Sequence, residues 1–219
     1  MPCSLGLQSS RDRRKSTPMP FPRRGPMAQI RSLCVYCGSS GAVDEKYRAA
    51  ATELGGRLAA AGIELVYGGG RIGLMGLLAD AALAGGGRVV GVIPERLRDA
   101  ELAHQGATEL LIAASMHDRK RLMAERADAF AVLPGGTGTL DETFEILTWR
   151  QLRLHDKSIF LVDVAGYWRP LIDLLGHIVA CGFAPSLAPE ILEIVPGVPA
   201  LMARLGEISG GTATRSELL

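Results

Sequence analysis

A chain of 219 residues is long enough to bury a large core, and 47% hydrophobic against 21% charged residues is the composition of a soluble globular protein. The formal net charge of +1 lacks the electrostatic footprint of a nucleic-acid binder. No apolar run approaches the ~18 residues needed to span a bilayer, and no membrane partner is expected.

The charge is uneven along the chain. Residues 1–26 carry six cations against Asp12 alone, a local +5 that leaves −4 for the remainder. This Ser-, Pro- and Arg-rich segment has no apolar stretch of a secretory signal, and its prolines oppose an amphipathic transit helix. It reads as a basic, disordered tail over 1–27, with Met27 as an alternative start. One nucleotide-binding domain is expected over 28–208, followed by a flexible end at 209–219.

From residue 28 onward strands and helices alternate. IRSLCVY (30–36) reads as a strand, and Asp44 opens a helix with Ala49, Leu54, Leu58 and Ala61 as buried candidates, ended by Gly62. IELVY (63–67) is the next strand, running through GGGRIGLMG into an Ala/Leu-rich helix to about Leu83. After a glycine turn at 85–87 comes the strand RVVGVI (88–93), then a looser charged stretch over 94–107. A short strand near 109–113 precedes Ser115, which caps a helix to about Ala127. AFAVL (129–133) is a strand, followed by a glycine loop and a helix from Leu140 to about Leu154. SIFLV (158–162), a helix around Pro170–Ala180, the strand ILEIV (191–195) and a short helix at 198–206 complete the pattern.

Strands apolar on both faces, alternating with helices, specify an α/β fold: a doubly wound, mostly parallel, Rossmann-like sheet with helices on both faces. Ligands of such folds sit at the carboxyl ends of the strands. Four loops stand at that edge: 37–41, 68–76, 94–107 and 134–142.

Cys34-Val-Tyr-Cys37 is a literal CxxC. Zinc would need a second pair, and a redox pair normally opens a helix, where the dipole lowers a thiol pKa. Here the pair closes a strand and its members fall on opposite faces. They read as small buried hydrophobes in a reduced, cytoplasmic chain. His104, His117, His155 and His177 show no ligand spacing, so no metal is expected, and no Schiff-base lysine signature points to pyridoxal phosphate.

Two glycine loops compete for attention. Gly68-Gly69-Gly70-Arg71-Ile72-Gly73 satisfies GxGxxG between strand and helix, and Glu95 lies near the end of the next strand, where a ribose-binding acid would belong. The dinucleotide fingerprint usually occupies the first βα turn, however, and this loop follows the second strand. The other reading is a close backbone approach to an anion, through Gly69 and Gly70. The second loop, Gly135-Gly136-Thr137-Gly138-Thr139, lacks the Lys-Ser/Thr pair of a Walker A loop. Its amides and hydroxyls suit one terminal phosphate.

Glu142 has two readings. Thr139-x-x-Glu142 fits a capping box, and the same carboxylate stands close to the phosphate loop. Ser115-x-x-Asp118 fits another capping box, which puts Arg119 and Lys120 near a helix start, against the macrodipole. A solvated basic face is one explanation; an anionic substrate gripped by Arg119 is the other.

SMHDRK (115–120) followed by LPGGTGTLDE (133–142) resembles the paired signature of the LONELY GUY family, the cytokinin riboside 5′-monophosphate phosphoribohydrolases. CVYCGSS (34–40), VYGGGRIGLMG (66–76), VIPERL (92–97), TWRQLRLHDK (148–157) and GYW (166–168) are similar to that family in the same order, so the resemblance covers about 30–200. Members have also carried the label lysine decarboxylase, which does not describe their chemistry. The resemblance implies hydrolysis of the N-glycosidic bond of AMP or an N6-substituted AMP, a homodimer with sites near the interface, and no metal or redox cofactor. It implies nucleotide contacts at Glu101, Arg119, Lys120, the stretch Gly136, Thr137, Gly138, Thr139, Leu140, Asp141 and Glu142, and at Thr148, with Arg119 and Glu142 as the catalytic pair. Arg71 and Ser158 depart from the family pattern, Arg71 replacing a small residue and Ser158 a proline. On this expectation the 135–139 loop holds the phosphate and Glu142 lies under the ribose, as support for the oxocarbenium ion or as the group that orients water. Arg119 either holds phosphate or polarises the substrate, and Glu101 contacts ribose or base. The rivals are a nucleotide or cofactor carrier without hydrolysis and a broader nucleotide 5′-monophosphate nucleosidase of salvage.

Overall fold

The computed structural model describes residues 29–99, 102–184 and 191–210. The elements run β1 (Ser32–Tyr36), α1 (Glu45–Ala60), β2 (Glu64–Tyr67), α2 (Gly73–Ala84), β3 (Val89–Pro94), α3 (Glu95–Asp99), β4 (Glu109–Ala113), α4 (Met116–Arg126), β5 (Ala129–Val132), α5 (Thr137–Gln151), β6 (Ile159–Val162), α6 (Arg169–Ala180), β7 (Glu193–Val195) and α7 (Val198–Gly210). The basic tail and residues 211–219 lie outside the described residues. So does Glu101.

All seven strands form one sheet, ordered β4-β3-β2-β1-β5-β6-β7, and every pairing is parallel. Parallel neighbours need crossovers, and the helices between successive strands lie on them, while α7 follows the last strand and packs back on the sheet. Leu33, Val35, Leu65 and Ala131 point to the face packed by α1, α2 and α7. Cys34, Tyr36, Val66 and Phe130 point to the other, packed by α4, α5 and α6. The alternation along each strand thus feeds two separate cores, as a doubly wound sheet requires. The central strands are buried apart from the half-buried Glu64 at the start of β2, whereas the edge strands β4 and β7 keep exposed positions, Ile112 and Ile194.

Several expectations shift. Leu54 and Leu58 are buried on α1, but Ala49 and Ala61 are exposed; the apolar stripe instead uses Ala50 and Ala51. A small alanine carries too little hydrophobic drive to mark the inner face by itself. The charged stretch after β3 contains the short helix α3, and α5 begins three residues before the expected Leu140. The last helix extends to Gly210, where Ser209 Oγ accepts from Ile30 N at 3.3 Å.

The chain order reverses between β1 and β5. There the loop after β1 faces the loop after β5, and Gly38 N donates to Pro134 O at 3.0 Å. A crevice between carboxyl ends of strands at such a switch point is where open α/β sheets bind ligands. No described helix is long and apolar enough to cross a membrane.

Candidate active site

β5 leads through Leu133–Gly136 into α5, whose N-cap is Gly136 with no side-chain cap. The first intrahelical bond runs from Leu140 N to Gly136 O at 3.0 Å, so the N–H groups of Thr137, Gly138 and Thr139 have no acceptor within the helix. Gly136, Thr137 and Gly138 are exposed there, at the positive end of a 15-residue helix. Gly135 permits the arrangement: a Cβ on it would fall 2.1 Å from Thr139 Oγ1 and 2.9 Å from Gly38 N. Any side chain would push the two switch-point loops apart.

The early start of α5 removes the capping reading of Glu142. Thr139 sits inside the first turn, not at the cap, so the capping box does not form. Thr139 is buried, and its carbonyl accepts from Thr143 Oγ1 at 2.7 Å. Glu142 therefore turns inward, one helical turn below the exposed amides.

Glu142 meets Arg119 there. Ser115 caps α4 by accepting from Asp118 N at 3.0 Å, which places Arg119 in the first turn on the buried face. Arg119 Nη1 donates to Glu142 Oε1 at 2.7 Å, Nε to Val92 O at 3.0 Å and Nη2 to Gly68 O at 3.4 Å. Both residues are 8% exposed. Gly68 makes room: a Cβ there would lie 2.0 Å from Arg119 Nη2. The guanidinium is thus fixed by the ends of β2 and β3 and by α5. Burial pushes the Glu142 carboxyl up from the ordinary glutamate value, and the neighbouring Arg119 charge only partly offsets it.

Lys120 takes a different course. Its Nζ pairs with Asp141 Oδ2 and Glu145 Oε2, both at 3.1 Å, on the outer stripe of α5. Thr148 continues that stripe and donates to Phe144 O at 2.7 Å. It lies about 9 Å along the helix from Glu142. Within one copy of the chain, then, the structure gathers Arg119, Glu142 and residues 135–139, with Lys120 and Asp141 alongside, and leaves Thr148 apart.

The first glycine loop serves another purpose. Gly69 takes φ +73 and its carbonyl accepts from His104 N at 2.9 Å, while Arg71 N donates to Leu102 O at 3.0 Å. Gly70 bridges Ala103, and His104 Nε2 reaches Asp80 Oδ1 at 2.9 Å. The 102–104 segment already engages the Arg71 N–H and the Gly69 carbonyl of this loop. Glu95 opens α3 and pairs with Arg98 at 3.4 Å, facing solvent. The dinucleotide reading is not supported by this loop.

Cys34 and Cys37 occupy opposite core clusters, and burial pushes both thiols well above the ordinary range. Neither is a nucleophile in that state. Among the described residues no three His, Cys, Asp or Glu side chains gather as a metal set. Sequence reading missed the part of Gly68 and of the Val92 carbonyl in seating Arg119. Only Gly68 left a signal, as a member of a glycine run.

A family model described as possible lysine decarboxylase matches residues 75–205. The cytokinin riboside 5′-monophosphate phosphoribohydrolase LOG3 of Arabidopsis thaliana is 43% identical over 180 residues, 82% of this chain and 84% of the relative. The enzyme of the same name LOG4, also from Arabidopsis thaliana, is 44% identical over 177 residues, 81% of this chain and 82% of the relative. Among solved structures, the molybdenum cofactor carrier protein of Chlamydomonas reinhardtii superposes with a TM-score of 0.64 at 18% identity, covering 85% of this chain and 99% of that one. The molybdenum cofactor binding protein of Rippkaea orientalis gives 0.61 at 17% identity, covering 84% and 98%. At such identities these two likenesses establish the fold alone.

Proposed function

The chain belongs to the LONELY GUY family of cytokinin riboside 5′-monophosphate phosphoribohydrolases, and on that footing we propose that it hydrolyses the N-glycosidic bond of adenosine 5′-monophosphates, N6-substituted ones included. The products are the free base and ribose 5-phosphate. The observation that carries the reading is the buried Arg119–Glu142 pair, one turn below the unpartnered amides of α5.

The division of labour follows from charge. The exposed amides of Gly136, Thr137 and Gly138, with the helix dipole behind them, would hold the dianionic phosphate and so fix the ribose. Glu142, about 5 Å further along the helix axis, would then lie beneath the sugar. As the bond to the base breaks, the sugar gains positive charge, which a buried carboxylate stabilises strongly because little water screens it. The same carboxylate can orient the water that adds to the sugar carbon. The departing base takes the bonding electron pair, and the proton it gains is balanced by the one the attacking water gives up as its oxygen bonds to the sugar carbon. Arg119 holds Glu142 in place and, with two further carbonyl partners, presents a cation at the reacting end. Its charge is compatible with gripping the phosphate or polarising the substrate. Lys120 lies beside the cradle with its charge offset by Asp141 and Glu145.

The proposal extends to a homodimer. Met116 on α4, Phe144 on α5 and Leu152 just after α5 are exposed apolar residues, the last two bonded through their backbones to Thr148, and a second copy would cover them. The mass in solution by light scattering tests this. The two buried free thiols fit a reducing compartment such as the cytoplasm.

The deciding experiment incubates the protein with AMP and separately with N6-isopentenyl-AMP and measures free base by chromatography. Release that disappears in Glu142→Gln supports the reading and ranks the substrates. Nucleotide binding without release of base would leave a carrier.

A further inference from the structure

Tyr167 stands outside the Arg119–Glu142 pair but touches the turn that precedes α5. After β6 the chain passes through a 3₁₀ turn, Val164–Gly166, in which Ala165 takes φ 53. A non-glycine residue in the left-handed region persists only where its surroundings over-determine it. Here Asp163 Oδ1 accepts from Trp168 N at 2.7 Å, Tyr167 N donates to Val164 O at 3.2 Å, and Trp168 is buried. The turn delivers the Tyr167 ring edge-on to Tyr47, with centroids 5.3 Å apart, and to Trp168, 4.8 Å apart. Its hydroxyl donates to Gly135 O at 2.6 Å.

That bond acts on one peptide plane. In a trans peptide the C=O and the following N–H point to opposite sides. Holding the Gly135 carbonyl toward Tyr167 therefore aims the Gly136 N–H the other way. The preceding carbonyl, Pro134 O, is already taken by Gly38 N at 3.0 Å. Both carbonyls that could otherwise swing toward an anion are tied to donors, and glycine at 135 and 136 gives the turn no stiffness of its own.

We infer that Tyr167 is a positioning residue for phosphate: its hydroxyl fixes the Gly135–Gly136 peptide so that the amides at the start of α5 converge on a 5′-phosphate. The inference rests on the reading of those amides as the phosphate cradle. Packing alone would be served equally by phenylalanine.

The test compares Tyr167→Phe with the unmodified protein by calorimetric titration with ribose 5-phosphate, by AMP hydrolysis and by thermal melting. The loss of one hydrogen bond should raise the Kd for ribose 5-phosphate and the KM for AMP about five- to tenfold. The kcat should stay within about twofold and the melting temperature should hardly move. Unchanged affinity for ribose 5-phosphate would overturn the inference, as would a parallel fall in kcat and melting temperature with KM constant. So would failure of the unmodified protein to bind ribose 5-phosphate at all. If that protein binds ribose 5-phosphate yet releases no base from AMP, the hydrolase reading falls, and the titration still judges Tyr167.

Discussion

Arg119 Nη1 lies 2.7 Å from Glu142 Oε1 across two helices, and both side chains are buried. A buried pair is costly to assemble and more costly to break from one side, because the survivor keeps its charge without a partner. The two truncations should therefore behave differently. Glu142→Gln keeps an oxygen for Arg119, which also retains Val92 O and Gly68 O. It should lose about 10²–10⁴-fold in kcat with a melting temperature near that of the parent. Arg119→Ala strands a buried carboxylate and should lose about 3–5 kcal/mol of stability as well as activity. Denaturant titration of both variants, beside their AMP kinetics, checks the contrast.

Gly68 is the second test of how Arg119 is seated. The Cβ of Gly68→Ala would fall 2.0 Å from Nη2 and 3.2 Å from Met75 Sδ. The guanidinium must move, and the carbonyl contact with it. Overpacking of this kind costs about 1–3 kcal/mol, with at least about a tenfold loss in kcat/KM as Glu142 loses its fixed partner. A melting curve and AMP kinetics measure both effects. Full activity in this variant would mean that the position of Arg119 is unimportant to the reaction.

The pH profile should report Glu142. Burial raises its carboxyl, with Arg119 opposing, and the role proposed for it requires the ionised form. Activity should fall as pH drops through that raised pKa, so the acid limb of kcat at saturating AMP should lie above the ordinary glutamate value of about 4.3. Glu142→Gln should abolish this limb in whatever activity remains.

Stability has a separate pH dependence, set by His155. Its Nε2 hydrogen-bonds Ile146 O at 3.0 Å, and its Nδ1 accepts from Lys157 N at 3.2 Å. Burial pushes its pKa down to about 4, against the raising effect of the Ile146 carbonyl, because a second proton would face a backbone donor in a dry site. The unfolded chain binds this proton near the ordinary pKa of about 6.5, so the contribution to stability is complete above that pH and is lost as pH falls toward 4. The loss should reach on the order of 3 kcal/mol. Urea midpoints at several pH values across this window should fall for the parent and fall less for His155→Gln.

The order and type of nearly every element were legible in the sequence because they are local properties. VVGVIP is apolar at every step and bounded by turn residues, so it reads as a buried parallel strand before any partner is known. Ser115-x-x-Asp118 marks the start of α4 for the same reason: the bond it predicts spans three residues. The errors were local too. Thr139 and Glu142 carry the spacing of a cap, but the glycines upstream let α5 begin at Thr137, and no residue pattern opposed that extra turn. The alternation of helices after the glycine loops hid the short α3, which is too brief to show a period.

By itself, then, the sequence determined a parallel sheet clothed on both faces, with the strand edge at which ligands of such folds bind, and a pair of motifs that places the chain in its family. The tertiary structure alone decided which distant groups meet. Lateral strand order leaves no trace in periodicity, yet it sets β1 beside β5 and so brings Gly38 against Gly135. The same packing sends Arg119 and Glu142 from different helices into one dry pocket and leans Tyr167, after β6, on the glycine turn. A residue's type and spacing fix what it can bond, whereas its partner depends on how separate elements stack.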